Sequence, residues 1–160
     1  MSRLAPTRSR PSRKSRRFSI VASLFNDEYV RGLIDHASEE LNSLCPNAAI
    51  SLHRVPGAFE IPIVARELAL QKKSDAILAL GVILEGETSH AENLARSVTN
   101  ALQQVAISYG IPVINAVLSL KTEKQARERC LGSRINRGTE AAHAAVEIAN
   151  RLHSLRKRSK

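Results

Sequence analysis

Long apolar runs, paired cysteines and aromatic side chains are all scarce in this chain. No window approaches the roughly 18 apolar residues a membrane span needs, and no apolar signal-peptide core follows the N-terminus, so a cytoplasmic protein is expected. Cys45 and Cys130 form no Cys-x-x-Cys pair and no ligand cluster with the five histidines. Reduced thiols, no disulfide and no metal site are therefore expected. Also absent are Gly-x-x-x-x-Gly-Lys-Ser/Thr, Gly-x-Gly-x-x-Gly, Gly-x-Ser-x-Gly and His-Glu-x-x-His, which counts against a triphosphatase, a dinucleotide dehydrogenase, an α/β hydrolase and a zinc peptidase.

Acidic residues are missing from both ends. Residues 1–17 hold seven bases and residues 151–160 hold five, with no acid in either stretch. Removing those twelve from the 24 bases leaves twelve against all fifteen acids, so the net charge of +9 belongs to the ends and the middle sits near −3. The first seventeen residues, rich in Arg, Ser and Pro, bury too little apolar surface to offset the entropy of ordering. They read as a disordered basic arm, and residues 153–160 as a basic tail, both suited to weak, salt-dependent contact with polyanions.

Between them, residues 18–152 read as a single domain in which strands and helices alternate. Phe18 to Leu24, Ala48 to His53, Asp75 to Leu84 and Val113 to Leu118 have the apolar or β-like pattern of strands. Asp75 to Leu84 shows no alternation, as expected of a strand covered on both faces. Helical spacing follows each strand: from Asp27, a plausible cap, to before Pro46; from the Pro-Gly loop near residue 57 to about Lys73; and from His90 to Tyr109 behind a Thr88 or Ser89 cap. Two further helices are expected over Glu123 to Leu131 and Thr139 to Leu152. Right-handed crossovers then lead to an α/β fold: a three-layer, doubly wound, flavodoxin-like sheet of four parallel strands flanked by helices.

Ligands of such sheets sit beyond the carboxyl ends of the strands, and here those ends carry unusual residues. Two of only three phenylalanines, Phe25 and Phe59, lie there, where an aromatic ring can stack on a planar heterocycle as well as serve as core. Glu60 can accept hydrogen bonds from ligand hydroxyls or simply favour the first turn of its helix. Gly81 to His90, Gly-Val-Ile-Leu-Glu-Gly-Glu-Thr-Ser-His, joins a buried strand through a glycine turn to a helix start, an arrangement that seats anions. His90 there is either a solvent-facing residue or a proton carrier. Arg129 is either a phosphate ligand or part of a solvated helix face. These residues alone leave open a cofactor-free enzyme or a binding protein for a phosphorylated or polyhydroxylated small molecule.

Taken together, Phe25-Asn26, Val55-Pro-Gly-Ala-Phe-Glu-Ile-Pro62, Gly81 to His90, Glu123-Lys-Gln-Ala-Arg-Glu-Arg129 and Asn136-Arg-Gly138 resemble the lumazine synthase family of riboflavin biosynthesis in order and spacing. The resemblance covers about Phe18 to Leu152. It implies condensation of 5-amino-6-(D-ribitylamino)uracil with 3,4-dihydroxy-2-butanone 4-phosphate to 6,7-dimethyl-8-ribityllumazine, with release of phosphate and water and no cofactor or metal. It further implies that Phe25 lies over the pyrimidine, that Ala58, Phe59 and Glu60 follow the ribityl chain, and that Ile83 and Leu84 backbone groups meet the ring edge. Gly86, Glu87, Thr88 and Arg129 hold the phosphate in that scheme, His90 moves protons, and Arg137 and Glu140 give support. Asn115, a substrate-binding position, stands where many relatives carry Phe; Ala91 follows His90 where an aromatic is common, and Arg137 replaces a usual Lys. Family members assemble as pentamers with sites between subunits, some as 60-subunit shells, and the absence of an insertion between Arg129 and Arg137 resembles the shell formers. A riboflavin synthase partner is a further expectation of the resemblance.

Overall fold

The computed structural model describes residues 8, 10, 11, 14–86 and 89–158. Four parallel strands, β1 (Arg17–Ser23), β2 (Ala49–Val55), β3 (Ala76–Leu84) and β4 (Val113–Leu120), form one sheet in the order β2-β1-β3-β4. Around it lie α1 (Asp27–Leu44), α2 (Ile61–Gln71), α3 (His90–Tyr109), the short α4 (Glu123–Ala126) and α5 (Arg137–Arg158). The expected three-layer, doubly wound α/β fold is therefore present. Each face of the sheet carries its own core. Phe18, Ile20, Leu78 and Leu80 pack with Leu33, Leu41 and Val146 of α1 and α5. Val21, Ile77 and Ala79 pack with Ile61, Ala65, Val98 and Leu102 of α2 and α3 on the opposite face. This two-sided burial explains why β3 is apolar without alternation: its first eight residues are all buried.

The chain moves outward from β1 to β2 on one side and crosses back to β3 on the other. That reversal leaves a crevice beyond the carboxyl ends of β1 and β3, since the connections leaving the two strands diverge to opposite faces.

Several local readings are corrected. Asp27 does not cap α1: Asn26 does, in the left-handed region at φ 56° and ψ 46°. Asp27 is the first helical residue, and its carboxylate accepts from Arg54 at 2.6 Å and pairs with Arg31 at 2.6 Å. The hydrogen bond from Arg54, followed by the charge of Arg31, holds its carboxyl below the usual range. Ser89 caps α3 without a side-chain hydrogen bond. β4 runs on to Leu120, two residues beyond the expected Leu118. The single helix expected over Glu123 to Leu131 is instead α4 followed by a π-helical turn, Arg127–Leu131, closed by the Gly132 N–H on the Arg127 carbonyl at 3.1 Å. The turn is held against α1, where Gly32 leaves no room for a Cβ beside the Cys130 carbonyl. Helix α5 starts earlier than Thr139 and extends through the presumed tail to Arg158, with Arg156 donating to the Gly110 carbonyl at 2.6 Å. Arg16, assigned to the disordered arm, is 4% exposed and donates to Asn150 at 2.8 Å. Cys45 and Cys130 are buried free thiols, and burial pushes the Cys130 thiol up to about 12.

Candidate active site

The crevice at the strand reversal is a cavity of about 650 Å³ lined mainly by apolar groups. Three segments build it. After β1, Leu24 and Phe25 continue along the β2 exit through Leu24 N–H to Val55 at 2.8 Å and Phe25 N–H to Pro56 at 3.3 Å. Arg54 clasps this exit by donating to the Ser23 carbonyl at 2.9 Å and to Asp27. Left-handed Asn26 then turns the chain into α1 and sends its amide to the Val82 carbonyl at 2.8 Å. This turn throws Phe25 outward, 75% exposed, at the mouth of the cavity.

The second segment follows β2, where a 3₁₀ turn, Ala58–Glu60, precedes α2. Ile61 is fully buried and anchors the helix, Ala58 faces inward, and Phe59 is 66% exposed at the rim. Glu60 stands at the join between this turn and α2. Its carboxylate accepts the Gly57 N–H at 2.9 Å, fixing the turn, while the side chain lines the cavity. The third segment is the end of β3. The Glu85 N–H donates to Leu120 on β4 at 2.8 Å, whereas the Val82 carbonyl faces the β1 side and meets Asn26. Alternation along a strand places the Leu84 N–H and C=O on that same open side, at the cavity. Ile83 and Leu84 both line it, and His90, exposed at the first position of α3, closes it beside Ala91 and Leu94.

The structure thus brings Phe25, Ala58, Phe59, Glu60, Ile83, Leu84 and His90 to one cavity. Gly86 is exposed near it, and Glu87 and Thr88 fall outside the described residues. Four positions do not line this chain's own cavity. Asn115 is exposed on β4, donating to Thr99 at 3.0 Å and accepting from the Val117 N–H at 3.0 Å. Arg129 is half-buried in the π turn, and Arg137 is paired with Glu140 at the start of α5. Residues over 15–153 match the family model described as 6,7-dimethyl-8-ribityllumazine synthase.

The chain belongs to the 6,7-dimethyl-8-ribityllumazine synthase family.

It is similar to the proteins of that name from Stenotrophomonas maltophilia strain R551-3, at 39% identity over 89% of this chain and 92% of the relative. It also resembles those from Chloroherpeton thalassium and Halorhodospira halophila, each at 37% identity over 87% of this chain and 90% of the relative. The lumazine synthase match spans both the cavity residues and the four positions outside it.

Asn26 and Gly57, present in the strand-end motifs but given no role there, also line the cavity, and Val82 and Leu94 line it without having been singled out. For Asn26 the signal was its place between a buried strand and a helix, where Asn tolerates the left-handed region better than most side chains. Asn136, quoted among the motifs without a role, has a structural one. It is 4% exposed, donates to the Cys130 and Gly132 carbonyls at 2.8 and 3.0 Å, and accepts the Gly138 N–H at 2.8 Å. One side chain therefore fixes the π turn carrying Arg129 to the start of α5 carrying Arg137.

Proposed function

We propose that this chain is a 6,7-dimethyl-8-ribityllumazine synthase that joins 5-amino-6-(D-ribitylamino)uracil to 3,4-dihydroxy-2-butanone 4-phosphate, releasing phosphate and water, in riboflavin biosynthesis. The observation that carries this reading is a largely apolar cavity with Phe25, Glu60 and His90 on its walls, in a chain of that family. A planar pyrimidine fits such a cavity, with Phe25 stacked on it and the Leu84 backbone groups on its edge. Glu60, already turned inward by its bond to Gly57, accepts ribityl hydroxyl protons. His90 carries protons during imine formation and phosphate departure. The amine is itself a nucleophile and phosphate a competent leaving group, so the chain's own residues suffice and neither cofactor nor metal takes part. Holding two substrates in register supplies much of the barrier reduction, up to roughly 7 to 11 kcal/mol in well-oriented reactions.

Arg129 lies outside the chain's own cavity, which favours a site completed by a second copy. In this reading the chains assemble as a pentamer, free or built into a shell, in the cytoplasm. Arg129 from one chain then joins Gly86, Glu87 and Thr88 of its neighbour around the phosphate, with Arg137 and Glu140 in support, and Asn115 meets the neighbour's substrate. A riboflavin synthase that consumes the product is the natural partner of such an assembly. A mixed assembly tests both the reaction and the sharing. Chains carrying His90→Ala and chains carrying Arg129→Ala, unfolded and refolded together with both substrates then supplied, regain lumazine formation above the sum of the two alone, because some cavities receive both intact residues. Activity no higher than that sum counts against a shared site.

A further inference from the structure

The sheet has a second end with a cavity of its own. Parallel strands gather all their amino ends at the edge opposite the cavity, where they meet the carboxyl ends of α2, α3 and α5. There Arg17, Lys72, Asp75, His153 and Arg156 share one cavity of about 420 Å³. Partial burial first, and then the charges of Arg16, Lys157 and Lys14, lower the pKa of the His153 imidazole, so these three bases also stand within electrostatic reach. Asp75 is the acid among these groups, and it is already engaged: it accepts the Arg17 N–H at 2.7 Å and pairs with Arg16 at 3.8 Å. Arg158 extends the set at the end of α5.

Part of this basicity has a local cause. The carboxyl ends of α2 and α3 carry the negative ends of helix dipoles, which favour cations such as Lys72 and the Arg156 guanidinium on the Gly110 carbonyl. The same dipoles disfavour a lone phosphate lowered into the cavity. An extended polyanion lying across the rim avoids them and meets the exposed side chains of Arg17, Lys72, Arg156, Lys157 and Arg158 instead. A membrane surface is a poorer fit. An amphipathic anchor needs an apolar face, and the last turns of α5 offer Leu155 among bases. Base reading is also unsupported, since Tyr109, the aromatic residue at this cavity, already has Arg66 over its ring at 5.8 Å.

We propose that this edge, formed by the start of β1, the end of α2 and the end of α5, binds nucleic acid through its phosphate backbone and without sequence preference. This does not depend on the lumazine reading, which concerns the other end of the sheet.

The test is fluorescence anisotropy of a labelled single-stranded oligonucleotide with the full chain, titrated at salt concentrations between about 50 and 200 mM. The expected result is a linear fall of log affinity with log salt. In K72A/K157A/R158A the slope becomes shallower by about 2, at about 0.7 per lost contact for a single strand. R31A/R96A/K124A removes the same charge from the other elements and keeps the wild-type slope, with folding of both variants checked by circular dichroism. Three results overturn the proposal: no binding at the lowest salt, equal flattening in both variants, or capture by phosphatidylserine vesicles that the oligonucleotide does not compete away.

Discussion

His90→Ala slows lumazine formation about a hundredfold while leaving a measurable rate and an unchanged fold. The side chain is exposed at the first position of α3, so its removal creates no buried defect. In the proposed mechanism what is lost is a proton carrier, and positioned general acids and bases contribute typically 10²- to 10⁴-fold. The low end is expected because the remaining walls of the cavity, Phe25, Glu60, Ile83 and Leu84, still bring the two substrates together, and proximity is the larger effect in this chemistry. A hundredfold corresponds to about 2.7 kcal/mol of barrier. Initial rates of lumazine fluorescence, with thermal unfolding as the control, decide the matter. Complete inactivity in a well-folded variant reverses the ranking and makes His90 the dominant group.

Asn136→Ala produces the largest loss of stability expected from a polar side chain here. Removing the amide strands the Cys130 and Gly132 carbonyls and the Gly138 N–H together. Each buried group left unsatisfied costs about 1–3 kcal/mol. Partial access of water at Gly132 brings the sum to about 3–5 kcal/mol, a fall in Tm of about 8–15 °C for a chain of this size. The surroundings cannot relax inward, because Gly138 sits so close to the Leu33 carbonyl that a Cβ has no room there. Asn136→Asp restores the acceptor for Gly138 but not the donor for the two carbonyls, so it does not rescue the loss. Because the same contacts connect the π turn to α5, the variant also loosens Arg129 and Arg137, and KM for the phosphate-bearing substrate rises more than kcat falls. A Tm within about 2 °C of wild type, under 1 kcal/mol at this size, contradicts this.

Much of the architecture was legible because it follows from burial. β3 is covered on both faces and so reads as an uninterrupted apolar run, and α3 spans the residues His90 to Tyr109 that its periodicity marked out. The cavity walls were legible for a topological reason: ligand-facing residues of a parallel sheet cluster after strand ends, and Phe25, Glu60 and His90 each follow one. What escaped depends on contacts between distant segments. The π turn reflects the fit of Cys130 against Gly32, about a hundred residues apart in sequence, which no local pattern encodes. Arg16 looked like part of a polar arm because composition does not reveal that Asn150 and Asp75 await its guanidinium. Helix α5 outran its expected end for a similar reason, since Arg156 finds the Gly110 carbonyl at the far end of α3. Linear order also does not reveal which candidate residues line the chain's own cavity, and Asn115, Arg129 and Arg137 lie outside it.

The most direct test is multiple turnover by the wild-type chain. Both substrates are supplied in excess over protein, and lumazine fluorescence and free phosphate are followed together against a protein-free control. The cavity at the strand reversal predicts many equivalents of lumazine per chain, formed well above the spontaneous rate with one phosphate released for each. A rate equal to the spontaneous reaction, with the substrates bound but not converted, contradicts it and makes this member of the family a binding protein.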